Sequence, residues 1–196
     1  NCVAVNPVHP KVQEAARFLI ERLVHKGDFD HAETFAQLTL ESLKYPRNGL
    51  DQQGEAVAKG YRDLGRVIYQ KKGGDLVKAE KLARESLRIR TRLYGGDHAH
   101  VGVSASLLAR ILQAQGKVDI ETKELHERCL AINIENFGSE GINTAVSYFD
   151  LGDFSYKRAE ESVSAGIRKE HLSLSVSKFK EVLRIYTKVF GPDHPN

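Results

Sequence analysis

The sequence predicts an all-α chain, an α-solenoid of about four stacked helix-turn-helix repeats. Three observations carry the prediction. Apolar residues fall at helical spacing on both sides of short glycine-bearing breaks, a similar helix ending returns and marks a unit of about 42 residues with insertions, and strand signals are nearly absent. The stretch from Leu82 to Gly116 holds the back half of one repeat, a capped junction and the front half of the next. Leu82, Ser86, Ile89 and Leu93 form one stripe with Ala83 and Leu87 beside it, and after Gly95-Gly96-Asp97-His98 a second stripe follows at Val101, Ala105, Leu108 and Leu112.

The elements follow in order. A first pair runs from Pro10 to His25 and from Asp28 to Lys44, separated by Gly27-Asp28, where a glycine can close a helix in the left-handed conformation. The second pair covers Gln52 to Lys72 and Leu76 to Leu93, around Gly73-Gly74-Asp75. The third covers Ala99 to Gln115 and Ile120 to Asn136, around Gly116-Lys117. The fourth opens near Ile142 and closes with Val176 to Val189, with about eleven extra residues between its helices. This extra piece, residues 156–171, is polar and either lengthens both helices or forms a loop. The repeats are thus bounded near 9–50, 51–95, 97–138 and 141–191, one array over 1–196.

The helix endings carry the repetition most literally. Leu87-Arg88-Ile89 with Tyr94-Gly95 returns as Leu130-Ala131-Ile132 with Phe137-Gly138, and again as Leu183-Arg184-Ile185 with Phe190-Gly191. A weaker copy ends at Leu40, with Tyr45-Pro46-Arg47-Asn48-Gly49 as a longer junction. The first helices agree in Leu19-Ile20, Leu64-Gly65, Leu108-Ala109 and Leu151-Gly152, a large apolar residue before a smaller one near mid-helix. A mid-helix glycine costs roughly 1 kcal/mol against alanine, so its reason is close packing of two helix backbones.

These residues resemble the tetratricopeptide repeat, in the longer form found in kinesin light chains and their relatives. The likeness rests on Tyr61-x-x-Leu64-Gly65-x-x-Ile68 and Tyr148-x-x-Leu151-Gly152 in first helices, and on Ala79-Glu80-x-Leu82, Ser86-Leu87-x-Ile89 and Cys129-Leu130-x-Ile132 in second helices. The junctions Gly95-Gly96-Asp97-His98 and Gly191-Pro192-Asp193-His194-Pro195 are similar to that subfamily's Gly-x-Asp-His-Pro turn. The resemblance implies a right-handed solenoid whose concave face, lined by first helices, receives peptides from protein partners. In kinesin light chains those peptides are acidic and carry an aromatic residue. Because Val8-His9-Pro10 is similar to the tail of the same turn and Phe190 to Asn196 opens another, and because the chain contains no Met, we expect it to be a fragment of a longer array.

Composition closes other classes. Net charge is +3 and the pI about 8.8, too slight a bias to argue for nucleic acid but compatible with an acidic partner. No apolar run reaches the roughly eighteen residues a membrane span needs, so no membrane insertion is expected. The two thiols, Cys2 and Cys129, fit no metal or redox spacing. A reducing compartment follows, the cytoplasm first, with organellar import after loss of a transit peptide as the alternative. His98, His100 and His194 sit in junctions as turn and cap residues rather than as metal ligands, and His126 with Cys129 makes at most two ligands, short of a zinc site. No nucleophile elbow, phosphate loop, paired carboxylate or cofactor motif is present, so we expect neither an enzyme nor a cofactor.

Helical phase then selects the groove. With Leu64, Gly65 and Ile68 turned inward, Lys59, Arg62, Arg66 and Tyr69 face the concave side. The same phase adds Arg17, Glu21 and His25 from the first repeat, Ser106, Arg110 and Gln113 from the third, and Phe149, Asp153 and Tyr156 from the fourth. Arginine forks suit carboxylates and the aromatics suit one apolar anchor. A second basic run, Arg84, Arg88, Arg90 and Arg92 with Lys78 and Lys81, lies on a second helix; interleaved Glu80 and Glu85 make it a solvated face rather than a phosphate track. Two functions remain. One is an adaptor whose groove binds an acidic, aromatic-containing peptide, and the other is a permanently assembled structural subunit of a large complex.

Overall fold

The structure, a computed structural model, describes residues 10–44 and 52–191. Among the described residues the chain holds eight helices and no strand: α1 (Pro10–His25), α2 (Phe29–Lys44), α3 (Gln52–Gln70), α4 (Leu76–Tyr94), α5 (Ala99–Ala114), α6 (Ile120–Phe137), α7 (Ile142–Glu161) and α8 (Ala165–Phe190). The Tyr45-to-Gly49 junction, the Asp193-His194 turn and Cys2 lie outside these residues. Helices α1 with α2, α3 with α4, α5 with α6 and α7 with α8 form hairpins. They belong to two compact units, residues 1–96 and 97–196.

In the first unit α3 is the central element, covered by α2 on one side and α4 on the other. Leu40 and Leu43 of α2 close over Gly60 of α3, and with Leu64, Val67 and Ile68 of α3 they are shielded from water; fully burying such a side chain stabilises by about 1.5–3 kcal/mol. Asp75 caps α4, its carboxylate accepting from the Lys78 N–H at 2.9 Å. Gly95 ends the same helix at φ 83°, a conformation that a Cβ would strain.

The buried stripe of α4 runs through Ala79, Ala83, Ser86 and Arg90, not through Leu82, Ser86, Ile89 and Leu93. Leu82, Ile89 and Leu93 are half-buried at its edge. Arg90 therefore leaves the solvated basic run. It is almost completely buried and its guanidinium donates to both oxygens of Glu55 on α3, at 2.7 and 3.2 Å. Its neighbours in the run behave as their spacing predicts: Arg84 pairs with Glu80 and Arg88 with Glu85, each at 2.9 Å on the surface.

In the second unit α7 lies between α6 and α8. Val101, Ala105, Leu108 and Leu112 of α5 are all buried, as their spacing requires. His98 is itself the N-cap of α5, its ring accepting from the His100 N–H at 3.1 Å. The extra residues of the fourth repeat lengthen both helices: α7 has 20 residues against 16 in α5, and α8 has 26 against 18 in α6, with Ser162–Ser164 between them. Gly152 lets α8 approach. A Cβ there would stand 2.9 Å from the Phe179 ring, and the Ser175 hydroxyl already donates to the Gly152 carbonyl at 2.9 Å.

A polar thread crosses this core. The Gln113 amide oxygen accepts from the His126 Nε2 at 3.0 Å, while its nitrogen donates to Asp153 at 2.6 Å. His126 also stacks obliquely on Phe154 with centroids 5.8 Å apart. Its Nδ1 has no partner, so a second ring proton would find no acceptor. Burial first, and then the Arg110 charge, push its pKa down to about 4.

Two outcomes are expected. Gly152→Val drives methyls into the Phe179 ring and lowers stability by roughly 1–3 kcal/mol, and adding Phe179→Leu restores part of the loss in denaturant titration. For His126, a pKa depressed below the unfolded value means that stability is fully present above about pH 6.5 and is lost as pH falls toward 4, by roughly 3 kcal/mol in all. Between pH 7.5 and 4.5 the unfolding midpoint of the native chain should fall further than that of His126→Gln.

Candidate functional site

In the first unit, Arg17 of α1 and Lys59 of α3 line one water-sized hollow together with Gln13, Thr39 and Asp63. Here the structure brings two of the expected groove cations together. Burial disfavours the charged form of Lys59, and the neighbouring Arg17 adds to that; Asp63 opposes it and Arg62 reinforces it. Arg62 folds back onto the buried carboxylate of Asp63, its neighbour in sequence. Arg17 reaches toward Glu21 at 3.9 Å, a loose surface pair worth little. Arg66 and Tyr69 continue the same helix face, half-buried.

In the second unit, Arg110 of α5 faces Asp150 of α7 at 3.7 Å, and Ser106 donates to the same carboxylate at 3.3 Å. Burial pushes the Asp150 pKa up while Arg110 pulls it back. Lys157 approaches Asp153 at 3.4 Å. Gln113 is turned inward, both ends of its amide engaged by His126 and Asp153, and offers nothing to a ligand. Phe149 is half-exposed and stands edge-on to Phe179 with centroids 5.5 Å apart. Tyr156 is exposed on the same side of α7, with Glu160 holding its hydroxyl protonated to higher pH.

Two features escape the sequence reading. Ile142 and Val146 are exposed on the α7 face that carries Phe149, Asp153 and Tyr156, so the apolar strip is longer than two aromatics. Their spacing of four and then three residues was the available signal. Asp63 and Asp150 each precede a core leucine in corresponding first helices and are buried beside an arginine. Only the packing reveals that they neutralise part of the basic face. Among the described residues no three His, Cys, Asp or Glu side chains converge as metal ligands would.

Comparison with known proteins bears on this arrangement. Tetratricopeptide-repeat family models match residues 56–119 and 179–196. No curated protein matches the sequence. Among solved structures, the kinesin light chain nearly identical TPR-like repeats of Podosopora anserina are similar at 20% identity, over 95% of this chain and 81% of that one, with a TM-score of 0.69. A single-substitution variant of those repeats gives 21% identity, 94% and 79% coverage and a TM-score of 0.65. BtubC (BKLC) from P. vanneervenii gives 16% identity, 95% and 84% coverage and a TM-score of 0.64. At these identities the likeness concerns the fold: the chain carries tetratricopeptide repeats at residues 56–119 and 179–196 and folds like the kinesin-light-chain type of repeat array.

Proposed function

We propose that this chain is an adaptor or scaffold module that binds an acidic, aromatic-containing segment of a partner protein on its first-helix faces. Tetratricopeptide repeats indicate a protein-protein interaction module, and the fold is typically non-enzymatic. The observation that carries the finer reading is the crowding of cations in the first unit. Arg17 and Arg62 both disfavour the charge on half-buried Lys59, and an incoming carboxylate at the hollow would relieve Lys59 and Arg17 together. Arg66 and Tyr69 extend that contact along α3. In the second unit Phe149 and Tyr156 share the exposed face of α7, and Arg110 of α5 faces Asp150 of the same helix; together they suit an apolar anchor and an acid. The chain has no catalysis of its own in this reading. No helix among the described residues is long and apolar enough to cross a membrane. Cys129 is a free, buried thiol, which supports a reducing compartment, the cytoplasm first.

A second reading, a permanently assembled subunit, has one observation in its favour. Leu172, Val176, Leu183 and Phe190 are exposed along α8 at spacings that put them on one face. A permanent neighbour there would co-purify through high salt, whereas a groove ligand exchanges within a titration.

The test is fluorescence polarisation with a labelled acidic peptide carrying one Trp. Affinity should fall several-fold when salt rises from roughly 50 to 300 mM. Combining Arg62→Glu with Arg66→Glu should weaken binding tenfold or more, with helicity checked by circular dichroism. Salt-independent binding, or full affinity in the charge-reversed variant, refutes the groove.

A further inference from the structure

A cleft of about 280 Å³ opens in the second unit on the second-helix side, away from Arg110, Phe149 and Tyr156. We propose that it is a docking site for a peptide segment of a partner protein that presents one leucine or phenylalanine side chain flanked by carboxylates. Leu151 and Phe154 of α7 form its floor, Leu130 and Ile134 of α6 one wall, and Leu174 of α8 the other. Helices α6 and α8 both pack on α7 but not on each other, so the floor is left uncovered along a trough rather than sealed.

At this volume the cleft is nearly the size of a small ligand pocket. It is not a polar gap that water would fill comfortably, because its lining is mostly aliphatic and aromatic. Ile134 and Leu174 remain 37% and 38% exposed at its mouth. One bulky apolar side chain would cover both.

Its origin explains why the sequence repeats do not announce it. The opening half of α8, which carries His171 and Leu174, begins in the lengthened part of the fourth hairpin. The rim supplies the choice of partner. Lys123 is paired with Glu127 at 3.0 Å, so those two charges cancel locally. Lys178 rests over the Tyr148 ring, 5.6 Å from its centroid, and among the described residues no carboxylate pairs with it. With His171 alongside, the residual rim is cationic and donor-rich. An acidic flank complements it. A second copy of this chain, with net charge +3, does so less well.

The trough follows α6 from Lys123 to Ile134, about 16 Å at 1.5 Å per residue. That length accommodates an extended segment of about five residues, which argues for a peptide rather than a compact metabolite.

The experiment uses the whole chain, isotope-labelled at Leu, Ile and Val methyls, and two acetylated probe peptides of Asp, Glu and Ser that differ only in a central Phe or Ala. The Phe peptide should shift the methyls of Leu130, Ile134, Leu151 and Leu174, and the Ala peptide should not. Ala131→Phe, which fills the trough, should weaken that binding tenfold or more, and Lys178→Glu threefold or more. If Ala131→Phe disturbs folding, Leu174→Glu asks the same question at an exposed position. The Arg62→Glu, Arg66→Glu variant should retain the trough shifts, which separates this site from the first-unit groove. Absent trough shifts, equal shifts with the Ala peptide, or undiminished binding to the filled variant would each overturn the proposal. Trough shifts that depend on protein concentration without peptide would assign it to a second copy instead, and overturn it equally.

Discussion

A two-helix hairpin can hide only the side on which its helices face each other. Every other feature of this chain answers that constraint. In each unit one first helix is enclosed on two sides: α3 by α2 and α4, α7 by α6 and α8. Small residues stand at the crossings of those enclosed helices. Gly60 and Gly65 admit α2 and α4, and Gly152 admits Phe179 of α8. A larger residue at any of these crossings would hold the helices apart and leave apolar surface wet, which is why low helix propensity is tolerated there.

The architecture was legible because two independent periods agree. The 3.6-residue period marks each helix, and the longer period of repeated endings marks each hairpin. Helix limits follow closely, since Asp75 and Asp119 are strong caps and Gly27, Gly73, Gly95, Gly116, Gly138 and Gly191 all occupy positive φ. The phase within a helix was less secure. In α4 the buried line keeps Ser86 but is rotated toward Ala79 and Ala83, which tolerate a tighter helix contact than the leucines beside them. That small rotation carries Arg90 inward, and nothing in its charge announces such a place.

The candidate faces show the same limit. Exposure of Phe149 and Tyr156 and the clustering of Arg17 with Lys59 follow from helical phase alone. Whether a charged side chain is still available depends on partners distant in sequence. Gln113 lies in the expected position yet is consumed by His126 and Asp153, 13 and 40 residues away. Asp63 and Asp150, buried at 6% and 7% exposure, temper the arginines near them. Part of the positive charge on these faces is therefore already compensated within the fold.

Cys129 lies beneath α5, its thiol donating to the Gly102 carbonyl at 3.4 Å, and burial pushes its pKa up to about 12. In the closed state this sulfur is therefore almost never a thiolate and resists alkylation and oxidation at neutral pH. It reacts only when the helices packed around it open. The modification rate of that sulfur therefore reports how often the packing around the third hairpin opens.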